Sequence, residues 1–97
     1  PRRQDRLNEL DDHIVTAETG IKKSEMFARH NLQEAQEYAH LGGSWEAEYR
    51  AAAVEWAGNA KMGEANLKKF RQERDRIAKL TDDEWRAEQE AKIYVPD

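Results

Sequence analysis

The sequence predicts an all-α protein, an antiparallel helical hairpin of two long helices followed by a short C-terminal helix. Three observations predict it. Proline, the strongest helix breaker, occurs only at Pro1 and Pro96. Ala, Glu, Gln, Lys, Arg and Leu supply the bulk of the chain, and all are good helix formers. Apolar residues recur at spacings of three and four on both sides of a central Gly-Gly pair, and no period-two alternation is long enough for a strand.

The first helix is expected over residues 3–40. Leu7, Leu10, Ile14, Ala17, Ile21, Ser24, Ala28, Asn31, Ala35 and Tyr38 form a heptad-like stripe of coiled-coil type, which turns small or polar after Ser24. Leu32 and Ala39 shift the stripe toward a second edge. Gly20 costs roughly 1 kcal/mol relative to Ala inside a helix and marks a place for a kink. Leu41-Gly42-Gly43-Ser44 reads as the turn, because glycines just past a periodic segment suit a helix C-terminus. Ser44 is the expected N-cap of the next helix, with Glu46 and Glu48 near the positive end of its dipole.

The second helix is expected over residues 45–80. Trp45, Tyr49, Ala52, Trp56, Ala60, Gly63, Leu67, Phe70, Ile77 and Leu80 make its apolar face, interrupted by Arg74. Gly58-Asn59 and Gly63 weaken its middle, so a kink or break at 58–63 is the alternative to one long helix. Thr81-Asp82-Asp83-Glu84 is a capping-box pattern that starts a short helix over 82–92. Residues 93–97, Ile-Tyr-Val-Pro-Asp, are expected to be an extended tail, since Pro96 disfavours helix at Val95. All 97 residues fit one domain.

Composition removes several function classes. There is no cysteine, hence no disulfide, no thiol nucleophile and no cysteine-ligated metal. No apolar run nears the ~18 residues of a membrane span, and no basic-then-apolar leader opens the sequence. A soluble, cytoplasmic protein is the expectation. The formal net charge is −4 and is unevenly spread. Residues 81–97 hold 2 basic against 6 acidic side chains, whereas residues 42–80 hold 8 against 6. The acidic C-terminal segment is therefore a natural neighbour for the basic stretch Lys68–Arg76. That stretch is interleaved with Glu73 and Asp75, which argues against nucleic-acid binding.

Candidate chemistry is sparse. Glu37-x-x-His40, with Glu34 one turn earlier, has the spacing used in di-iron helical bundles, but it occurs once where such a site needs two. His30 and Glu34 have the spacing of an i,i+4 surface pair. His13 sits beside Asp12 on a polar face, and neither Ser24 nor Ser44 has a histidine at local spacing. No phosphate-binding glycine loop is present. The chain is expected to be non-enzymatic, without metal or cofactor.

The aromatic residues are the most specific feature. Trp45, Tyr49 and Trp56 share one face, continued by Phe70, and are expected to fill the hairpin seam or an interface. Trp85, Ile93, Tyr94 and Val95 are the candidate partner-binding residues, because the short terminal segment has little core of its own and must dock on a partner or back on the hairpin. A domain of this size buries only about 60–65% of its unfolded surface, so self-association or docking on a protein partner is expected.

The layout resembles that of the WXG100 (ESAT-6-like) secreted proteins. The shared features are a chain of about 100 residues, two antiparallel helices, the Leu41-Gly42-Gly43-Ser44 turn, and Tyr49 and Trp56 after it. Leu41 stands where that family's Trp-x-Gly motif has tryptophan, and Tyr94 is followed by Asp97 at three residues rather than four. The resemblance implies a secreted helical-hairpin protein. The primary expectation is a helical protein–protein interaction module, acting as a small adaptor, an assembly subunit or an inhibitor of a larger protein. Small acidic cysteine-free helical chains of this sort are common among phage accessory proteins. A metal-binding helical oligomer is the remaining alternative.

Overall fold

The computed structural model describes residues 2–93. It contains α1 (Arg3–Tyr38), α2 (Trp45–Ala78) and α3 (Asp82–Ile93). Helices α1 and α2 pack against each other along their length as an antiparallel hairpin, and α3 folds back on one end. Cross-seam pairs run in opposite order on the two helices: Glu18 with Arg71, Phe27 with Trp56, and Tyr38 with Tyr49. The molecule measures 66 × 31 × 15 Å, so most of it is a single layer of helices.

The stripe in α1 faces the seam as its spacing demands. All ten of its residues are buried or half-buried, with Leu7, Leu10, Ser24 and Ala35 buried. Asn31, a polar member, donates its side-chain amide to the Phe27 carbonyl at 2.8 Å, which removes the cost of placing it there. Ala53, Ala60, Leu67 and Ile77 are the buried residues of α2. The seam therefore changes character along its length. Leu7, Leu10, Ile77 and Trp85 form a core of large side chains at the α3 end, with Phe70 and Leu80 packed on it. The middle is closed mainly by small residues, and rings dominate near the turn.

The turn is set by Gly42 (φ 71°) and Gly43 (φ 86°), a backbone region that costs any other residue about 1–2 kcal/mol. Helix α1 ends at Tyr38, two residues before the expected boundary. Ser44 occupies the N-cap position of α2, but its backbone is helical (φ −90°, ψ −8°) and its hydroxyl makes no capping bond. Only its carbonyl acts, accepting the Glu48 N–H at 3.0 Å. The Thr81 box forms in full. Thr81 N–H donates to Glu84 Oε1 at 3.0 Å, and Glu84 N–H donates to Thr81 Oγ1 at 3.1 Å. Ile93 is the last residue of α3 rather than the start of an extended tail, and 94–97 lie outside the described residues.

Gly20, Gly58 and Gly63 all sit in uninterrupted helix, so neither region breaks the hairpin. Only Gly63 is there for space. A Cβ at Gly63 would lie 2.8 Å from Ile21 Cγ1, whereas a Cβ at Gly58 meets nothing within 4 Å. Gly58→Ala is expected to stabilise by about 0.5–1 kcal/mol through helix propensity. Gly63→Ala is expected to destabilise, because the stiff β-branched Ile21 must move. Urea midpoints that shifted the same way in both variants would refute this reading of Gly63.

Candidate interaction surface

The two long faces of the hairpin differ. Along one edge of the seam, rings stack across it: His13 on Phe70 (5.2 Å between centroids), Phe27 against Trp56 (4.8 Å) and Tyr38 on Tyr49 (5.5 Å). Tyr49, Trp56 and Phe70 are half-buried in this way, whereas Trp45 is 56% exposed and, among the described rings, touches Tyr38. The stacking of His13 on Phe70 could not be read from its sequence neighbours; the ring also lies 3.4 Å from Glu9.

The opposite edge carries charge at one end and apolar groups at the other. Asp11 pairs with Arg74, and Glu18 pairs with Arg71 at 3.5 Å. The hydrogen bond from the Arg74 guanidinium holds the Asp11 carboxyl below its usual range. Further toward the turn, Ala28, Arg29 and Leu32 of α1 and Arg50, Ala53, Val54 and Ala57 of α2 line a groove of about 400 Å³. Val54 is 74% exposed and Leu32 43% exposed. These two apolar residues were not singled out as an interface; the available signal was Leu32 stepping off the α1 stripe.

The candidate partner residues fare differently. Trp85 is only 6% exposed and belongs to the core with Leu7, Leu10 and Ile77. Within the single chain the hairpin itself buries it, because the α1 start and α2 end offer large side chains there. Ile93 is 82% exposed, and Tyr94 and Val95 lie outside the described residues. The acidic α3 does neighbour the basic end of α2. Arg76 spans Glu73 at 2.9 Å and Glu88 at 2.7 Å, and the Arg76 hydrogen bond lowers the Glu73 pKa. Arg3 reaches Asp82 at 3.0 Å. Glu84 is also lowered, first by the backbone N–H of Thr81.

Glu37 and His40 do not share a helix face, since α1 ends at Tyr38 and His40 lies in the turn. His30 reaches Glu34 at 3.9 Å. Among the described residues, no three His, Asp or Glu side chains group to hold a metal ion, and no helix is long and apolar enough to cross a membrane. Comparison with family models, curated proteins and solved structures finds no match to this chain.

Proposed function

We propose that the chain is a non-enzymatic helical protein–protein interaction module, working as an adaptor, an assembly subunit or an inhibitor of a larger protein. The observation that carries this reading is the one-layer hairpin with its apolar groove. The accessible surface is 7428 Å², against about 5,700 Å² for a compact monomer of this mass. Much of the half nearest the turn has no second layer, and Leu32 and Val54 lie open there. Apolar side chains clustered over a groove between polar flanks are the usual mark of a protein-binding surface. Cross-linking in native extract tests it. The expected result is incorporation into a defined protein assembly, of like or unlike chains; a chain that stays monomeric and uncross-linked there overturns the reading. The alternative is a secreted hairpin, which the helix–Gly-Gly–helix layout favours and which loss of export in a secretion-defective host would support.

A further inference from the structure

Resting on that reading, we infer that the groove face around Leu32, Val54 and Ala57 seats a second copy of this chain, related by a two-fold axis running across the hairpin, to form an antiparallel four-helix bundle. The register of the face supports this. The Glu18–Arg71 pair aligns the two helices across the seam. Counting one heptad at a time from it sets Glu25 level with Glu64, Leu32 level with Ala57, and Ala39 level with Arg50. Each step is about 10.5 Å along the axis. The apolar level thus has two acids one heptad to one side and Arg50 one heptad to the other, with Arg29 of the groove lining between it and the acids.

A two-fold axis across the hairpin at the Leu32–Ala57 level inverts this order in the second copy. Glu64 of each chain then meets the partner's Arg50, twice by symmetry. An axis along the hairpin instead lays the acidic levels on each other, and only the antiparallel arrangement brings Glu64 to the Arg50 of the second copy. Glu25 and Glu64 form no ion pair among the described residues, and Arg50 keeps donors to spare beyond its bond to Glu46 at 3.0 Å. At this axis Ala57 of each chain meets its own copy, a close approach that a small residue allows, and Leu32 packs on its own copy, as an isologous contact requires. Leu32 and Val54 project, while Ala28, Ala53 and Ala57 leave a shallow floor.

Sedimentation of the purified full chain tests the inference. The expected mass is twice 11.3 kDa. Val54→Asp is expected to weaken the dimer by about tenfold or more while circular dichroism keeps its helical signal, since Val54 is 74% exposed in the single hairpin. Arg50→Glu is expected to weaken it too, and Arg50→Glu with Glu64→Arg to restore it. The chain lacks cysteine, so Ala57→Cys, on the axis, reports directly by forming a disulfide-linked dimer. His30→Cys, on the far edge of α1, is expected not to. A monomer at every concentration, or a dimer indifferent to Val54→Asp and not trapped by Ala57→Cys, overturns the inference. A monomer that still enters an assembly with another protein overturns it alone and leaves the interaction reading standing.

Discussion

Trp85→Ala is expected to lower stability by about 3–5 kcal/mol, a large share of the ~5–15 typical of a small domain. The tryptophan is the one residue of α3 that enters the core, where it meets Leu7, Leu10 and Ile77. Its removal leaves a cavity beside Leu10 and Ile77, both large and fully buried. What remains to hold α3 is weak. A 12-residue helix is marginal on its own. The pairs Arg3–Asp82 and Arg76–Glu88 lie at the surface, where such bridges contribute about 0–1 kcal/mol each. The variant is therefore expected to release α3 first, seen as loss of hydrogen-exchange protection over 82–93 together with a lower urea midpoint. Full protection of α3 and an unchanged midpoint would show that Trp85 is not what anchors this helix. The same burial argues that deleting residues 81–97 exposes the Leu7–Leu10–Ile77 end and damages the fold, rather than cleanly removing a binding arm.

The hairpin was legible because its two signals are local. A heptad stripe needs only the periodicity of one helix, and the ten α1 positions from Leu7 to Tyr38 all turn inward. The Thr81–Glu84 box likewise needs only four consecutive residues. The destination of Trp85 was not legible. An amphipathic terminal segment must cover its tryptophan, but nothing local says whether the cover is its own hairpin or another chain. The answer lies in Leu7 and Leu10, more than seventy positions away in the sequence. Ser44 shows a second limit: residue type suits a cap, but the backbone after two left-handed glycines enters helix at Ser44 itself, which turns its hydroxyl away from that role. The groove face depends on the register between two helices. Leu32 and Val54 become neighbours only once the turn and the Glu18–Arg71 level fix how α1 lies on α2.

Ile21→Asp is expected to cost about 3 kcal/mol or more and to unfold the middle of the hairpin, where no third helix reinforces the seam. Ile21 lies directly over Gly63, close enough that even a methyl group there has no room. An aspartate in its place loses the apolar contact and finds no cation one turn away, where Ala17, Glu18, Ser24 and Glu25 stand. The Gly63 N–H is already committed to the α2 ladder, so the carboxylate is pressed against backbone that has nothing to donate. Of the neighbouring seam residues Ala17 and Ala60 offer the carboxylate nothing, and the Ser24 hydroxyl is the one donor close by in α1. Relief requires the helices to part, and parting them uncovers Ser24, Ala60 and Leu67 together. Val15→Asp is the matched control, because Val15 is 63% exposed and a surface change of this kind stays within about 0.5 kcal/mol. Urea denaturation followed by circular dichroism separates the two. Equal midpoints for Ile21→Asp and Val15→Asp would mean that the α1 stripe does not form the seam at this level, and the register on which the groove face depends would fall with it.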